Sequence, residues 1–289
     1  MRWTRGRRSQ NLEDRRFQTG GGRVIRGTGL GLGGVVIVLL LSLWTGQDFF
    51  SLLGGGGDPQ ALPPAGGTPA SGATTPEEEE LVDFISFVLD DIQETWAELL
   101  PQVGGGYRDT QLVLFRDAIQ SACGFAQAAT GPFYCPGDGK VYIDLSFYDD
   151  LRTGFGAPGD FAQAYVLAHE IGHHVQSLLG IESRVRELQQ SRPRMRNEYS
   201  VAMELQADCL AGVWGNRAAR KGLLETGDVE EGLRAAGAIG DDRIQRQATG
   251  RVTPDSFTHG SSEQRIFWLR RGLDTGDPDV CDTFSETGG

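Results

Sequence analysis

Ala168-His169-Glu170-Ile171-Gly172-His173-His174 is the stretch on which the reading of this chain turns. It contains the pattern His-Glu-x-x-His. On a helix, residues four apart stack on one face, so His169 and His173 can reach one metal ion together. Glu170 stands about 100° further round, at the rim of that face. Its carboxylate there meets a water held by the metal rather than the metal itself. Zinc lowers the pKa of such a water to about 7, and a neighbouring carboxylate can take its proton. The flanks suit a helix. Asp160 reads as an N-cap and Gly180 as the residue that ends it, and Phe161, Tyr165, Ala168, Ile171 and Val175 contribute to a broad apolar face. A buried helix carrying two imidazoles and a carboxylate needs a partner for those groups.

Two histidines leave a zinc ion under-ligated, since a catalytic site has three protein ligands and one open position. His174 lies about 140° round the helix from His169 and points away from the metal. The best third ligand is Glu204, in Glu204-Leu205-Gln206-Ala207-Asp208. Glu204 and Asp208 are again one turn apart on one helix face, in an apolar setting. Glu204 is assigned to the metal. Asp208 is assigned to the outer N–H of a ligand histidine, whose tautomer it fixes.

Working outward, the charge of the chain is segregated. Net charge is −12, yet residues 1–26 hold eight arginines against Glu13 and Asp14. The remainder is strongly acidic, which argues against nucleic acid as a partner. Residues 1–26 read as a basic cytoplasmic segment without a fixed fold. Residues 27–47 carry no charge and centre on Val35-Val36-Ile37-Val38-Leu39-Leu40-Leu41. A helix of that length spans about 31 Å, the thickness of a bilayer core, and reads as a single transmembrane helix. The arginine-rich flank orients its N-terminus to the cytoplasm. Residues 48–75 are rich in Gly and Pro and read as a flexible linker. Thr75-Pro76 followed by four glutamates starts a helix that runs to about Leu100. Residues 76–289 then form the folded domain. Strand signals lie at 111–115 and 141–148. The second alternates cleanly, with one face buried, and offers a free edge to an extended peptide. Helices are expected at 182–191, 194–219, 228–247 and 261–273. The fold class is α+β, mostly helical, with one short sheet.

These motifs have a family resemblance. His-Glu-x-x-His followed some thirty residues later by Glu-x-x-x-Asp resembles the gluzincin metallopeptidases. More closely, the chain resembles the YpfJ-like neutral zinc metallopeptidases, from Met1-Arg2-Trp3 and Glu13-Asp14-Arg15-Arg16, through the motif, to Cys281-Asp282-Thr283-Phe284. The resemblance implies a zincin-like domain with one Zn²⁺ per chain bound by His169, His173 and Glu204. It implies Glu170 as the base and Asp208 as the orienting carboxylate. The developing oxyanion needs a donor besides the metal. His259, in Thr258-His259-Gly260-Ser261, is similar to a Thr-His-Pro segment of membrane-associated gluzincins. It is the candidate donor, or else the occupant of the open metal position in a latent form. Arg265 is a candidate partner for a carboxylate near the site, and Tyr199 a weaker donor.

Four cysteines, Cys123, Cys135, Cys209 and Cys281, follow the apolar stretch, in the compartment where disulfides persist. Three pairings are open; Cys123–Cys135 and Cys209–Cys281 are preferred, since they staple the loop before the Val141 strand and tie the C-terminus to the Glu204 helix. The functional expectation is a membrane-anchored zinc peptidase whose domain faces the periplasm or the exterior and whose substrate is a peptide or unfolded protein. The alternative is a non-catalytic, zinc-stabilised envelope binding or chaperone module.

Overall fold

The computed structural model describes residues 1–17 and 74–285. The expected transmembrane helix at 27–47 and nearly all of the linker lie outside the described residues. Among the described residues, no helix is long and apolar enough to cross a membrane.

The domain is α+β and mostly helical. Its strands are β1 (Leu12–Asp14), β2 (Gln111–Phe115), β3 (Ala118–Ser121), β4 (Gly124–Gln127), β5 (Phe133–Cys135) and β6 (Lys140–Asp144). Its helices are α1 (Pro76–Leu99), α2 (Ser146–Thr153), α3 (Asp160–Leu178), α4 (Ile181–Ser191), α5 (Arg196–Arg220), α6 (Asp228–Ala238), α7 (Asp241–Thr249) and α8 (Ser262–Thr275). Helix α1 starts as its sequence requires: Thr75 Oγ1 accepts from the Glu78 N–H at 3.2 Å, and Pro76 takes the first turn.

The main sheet has the order β1-β2-β6-β5. Strands β1, β2 and β6 run parallel, and β5 pairs antiparallel with β6 in the register Tyr134↔Val141. Three sequence expectations change here. The Val141 strand is interior, between β2 and β5, so the sheet edges are β1 and β5. Both of its faces are covered. Val141 and Ile143 join the main core, whereas Tyr142 packs with Val113, Phe115 and Cys135 in a second cluster. The strand also ends at Asp144, whose carboxylate accepts from the Ser146 N–H at 2.9 Å and starts α2, so Phe147 and Tyr148 are helical.

Residues 1–17 are the largest correction. They were expected to lack a fixed fold, but they pack on the domain. Leu12 pairs with Leu112, Trp3 meets Phe84 with ring centroids 5.6 Å apart, and Met1 is buried. The Met1 ammonium sits among Asp160, Glu225 and Asp228. Asp160 therefore serves the N-terminus and makes no capping bond; Gly159 precedes the first turn of α3. The expected 228–247 helix is two, α6 and α7, broken at Gly240. A Cβ there would lie 2.3 Å from the Ser262 backbone nitrogen.

Helices α5 and α8 cross through glycines. A Cβ on Gly272 would come within 2.0 Å of the Cys209 carbonyl oxygen, and one on Gly212 within 2.2 Å of that of Leu269. This contact holds α8, and the Arg265 it carries, against the heart of α5. Both preferred disulfides form: Cys123–Cys135 links the β3–β4 hairpin to β5, and Cys209–Cys281 ties the last turn of the chain to α5.

Candidate metal centre

The site forms where α3 packs on α5. Gly172, inside the motif, permits the approach: a Cβ there would meet the Ala207 carbonyl oxygen at 3.1 Å. The crossing sets His169 and His173, on one face of α3, against Glu204 of α5. His169 Nε2 lies 3.2 Å from Glu204 Oε2, and His173 Nε2 lies 3.5 Å from Glu204 Oε1. One ligand atom from each residue falls within 4.8 Å of the others. Tetrahedral zinc with bonds of about 2.0–2.1 Å separates its ligand atoms by about 3.3 Å. The donor types and their spacing therefore fit zinc.

Each histidine is held from behind. His169 Nδ1–H donates to Asp208 Oδ1 at 2.9 Å, and His173 Nδ1–H donates to Gln176 Oε1 at 2.8 Å. The Gln176 amide is fixed in turn, donating through Nε2 to the Met203 carbonyl at 2.8 Å and to Gln206 Oε1 at 3.0 Å. Both imidazoles thus turn Nε2 toward Glu204. Gln176 was missed in the sequence. The available signal was a polar residue three positions after His173, on the same side of a helix whose neighbours there are apolar.

Asp208 is fully buried and serves four bonds. It accepts from the Tyr165 hydroxyl at 2.6 Å, from His169, and from Arg265 through Nε at 2.8 Å and Nη2 at 2.9 Å. Burial alone would raise its carboxyl, but the Arg265 guanidinium and His169 outweigh this and hold it at about 2. Arg265 is therefore a buried counter-charge in the site.

Glu170 is buried, and that burial pushes its carboxyl above the ordinary carboxylate range, tempered by His169 and His173. The Tyr134 backbone N–H of the edge strand β5 faces Glu170 and also tempers the rise. The Tyr148 phenol, a second residue the sequence did not reveal, is buried within electrostatic range of Glu170 with no hydrogen-bond partner among the described residues.

The remaining candidates separate. His174 points off the metal: its Nε2–H donates to the Arg108 carbonyl at 2.7 Å, and its Nδ1 accepts from the Tyr134 hydroxyl at 3.2 Å. Tyr199 is buried, and its hydroxyl accepts from Arg192. His259 lies close enough for its charge to act on Glu204. Asp241 anchors it, accepting from its backbone N–H at 2.7 Å and lying 3.2 Å from ring Nδ1. Desolvation opposes charge on that ring, but Glu204 and Asp241 prevail and raise its pKa.

His169 yields a prediction. Burial works against its protonation, but Asp208 and Glu204 override it and raise its pKa to about 10. Without metal the ring is therefore protonated at neutral pH, and a metal must displace that proton. Zinc binding at pH 7.5 is expected to release close to one proton from His169. Affinity should climb about tenfold per pH unit while that ring still carries its proton. Calorimetric titration in two buffers of different ionisation enthalpy reads the proton count; a count of zero would show the ring already neutral.

Two histidines and a glutamate on crossing helices, with a second glutamate beside them, make a candidate metal-binding group of the His-Glu-x-x-His class. The chain belongs to the family described as "Putative neutral zinc metallopeptidase", which matches residues 1–284. It is 49% identical over 294 residues to "Uncharacterized protein YpfJ" of Escherichia coli K12, covering 99% of this chain and 100% of that one. It is also 44% identical over 207 residues to "Uncharacterized protein Rv2575" of Mycobacterium tuberculosis, covering 68% of each chain. No solved structure matches the chain.

Proposed function

We propose that this protein is a zinc-dependent peptidase that hydrolyses peptide bonds in extended or unfolded segments, held at a membrane with its domain in an oxidising compartment. The observation that carries the reading is the spacing of His169, His173 and Glu204, with Glu170 buried beside them. A zinc ion bound by those three residues supplies Lewis acidity toward a carbonyl oxygen and toward water. Glu170 takes the proton of the attacking water and returns it to the leaving amine. Its raised pKa suits a group that must both accept and release a proton near neutrality. His259, anchored through Nδ1, offers Nε2 to the oxyanion of the scissile carbonyl. The outer edge of β5, whose Tyr134 backbone faces Glu170, is the natural seat for the substrate backbone, because an extended peptide can add there as a further strand.

Elemental analysis of the purified full chain, beside Glu204→Ala, tests the metal assignment. About one zinc per chain is expected in the wild type and little in the variant. Unfolded casein should be cleaved by the wild type and spared after chelation. Zinc retained without Glu204 would break the ligand assignment. Zinc bound in full with casein and other unfolded substrates intact would favour a zinc-stabilised binding module.

A further inference from the structure

The N-terminal segment is bound too specifically to be a passing contact. Its backbone enters the sheet: the Leu112 N–H donates to the Asn11 carbonyl and the Arg15 N–H to the Leu114 carbonyl, each at 2.8 Å. The Ser9 N–H donates to Ser86 Oγ of α1 at 2.7 Å, and the Arg2 N–H to the Leu223 carbonyl at 2.7 Å. Arg16, 5% exposed, pairs with Asp14 at 2.6 Å and with Glu78 and Glu79 at 2.9 Å each. These contacts reach β2, α1 and the turn before α6.

The contacts also locate where the chain leaves and returns. It departs after Phe17, next to the Arg16–Glu78 pair, and resumes at Thr74, where Thr75 caps the N–H of the same Glu78. Both ends of the intervening stretch therefore meet at one point on the domain surface. The arginines that suggested an N-terminus on the cytoplasmic side are engaged elsewhere. Arg2, Arg5, Arg8 and Arg16 pair with Glu225, Asp83, Glu79 and Glu78, acids of the folded domain. Engaged in this way, they are weaker signals for orientation against lipid.

We propose that residues 1–17 and the domain are one folded body in one compartment, on the same side of any membrane the chain meets. A single crossing would put β1 and β2 on opposite faces of a bilayer, which their pairing forbids. The inference does not depend on the peptidase reading, because it rests on strand pairing and ion pairs away from the metal ligands.

The experiment uses the full chain in cells. All four native cysteines are in disulfides, and the protein without an introduced cysteine, treated in parallel, gives the background against which a single introduced cysteine reports. Gln10→Cys and, separately, Arg7→Cys mark the N-terminal segment at exposed positions; Asp149→Cys marks the domain. Each variant is treated with a membrane-impermeant maleimide in intact spheroplasts and again after detergent lysis. The expected result is one pattern for all three: labelled before lysis, or labelled only after it. A split, with the domain position on one side and both N-terminal positions on the other, would overturn the proposal. Labelling before lysis would also put the shared compartment on the oxidising side, in keeping with the two disulfides.

Discussion

Glu170→Gln is expected to keep its zinc and to lose peptide hydrolysis, with kcat down by about 10²–10⁴-fold. The amide has nearly the shape of the carboxylate, so it fits the same buried place on α3 and leaves the proposed metal ligands His169, His173 and Glu204 intact. It cannot accept the proton of water or return one to the amine. Loss therefore appears in kcat, whereas metal content and thermal midpoint stay near those of the wild type. Casein cleavage and elemental analysis on one preparation separate these readouts. Turnover retained within threefold would remove Glu170 from the role of base.

The second large effect is expected at Asp208. Asp208→Ala removes the acceptor of four hydrogen bonds and strands the Arg265 guanidinium, which is 3% exposed. Breaking one side of a buried ion pair costs about 3–5 kcal/mol. Loss of the partner of His169 Nδ1 is expected to weaken zinc by about 10–100-fold. The two effects come apart in the double variant Asp208→Leu with Arg265→Met. Removing both charges should restore most of the stability, but not the zinc affinity, because His169 still lacks its orienting acceptor. Denaturant melts of the metal-free proteins and competitive zinc titration give the two numbers. A single variant within 1 kcal/mol of wild type would show that solvent reaches Arg265 after all. In the wild type this interaction also sets an acid limit. The Asp208 carboxyl is held at about 2, so its stabilisation is in force above about pH 4 and fades as pH falls through 2.

The clustering of the candidate metal site was legible in the sequence because its parts lie on helices, where spacing in sequence is spacing in space. His169 and His173, and then Glu204 and Asp208, are each one turn apart, and a single crossing joins the pairs. The same holds for α1, whose cap and first turn are written in Thr75, Pro76 and the glutamates. Sheet position was not legible in this way. Alternation in 141–148 shows that a strand exists but not which neighbours it finds, and the edges fell to the short β1 and β5 instead. The β3–β4 hairpin also went unrecognised, since its strands have only four residues each. Residues 1–17 were hidden by composition. A basic, polar run resembles an unfolded tail until its arginines are matched to Glu78, Glu79 and Asp83 of a helix far along the chain.

The docked N-terminus also sets the order in which this protein can finish folding. Leu12 pairs with Leu112, and the Met1 ammonium waits for Asp228. At about 5–20 residues per second, that partner is synthesised roughly 10–45 s after Met1. The cystine between Cys209 and Cys281 closes only after residue 281 has been made. A chain stalled between β2 and β6 presents the flank of β2 that awaits β6 as an open strand edge, a template for mispairing. The Met1 end, made well before Asp228, is thus among the parts that settle late.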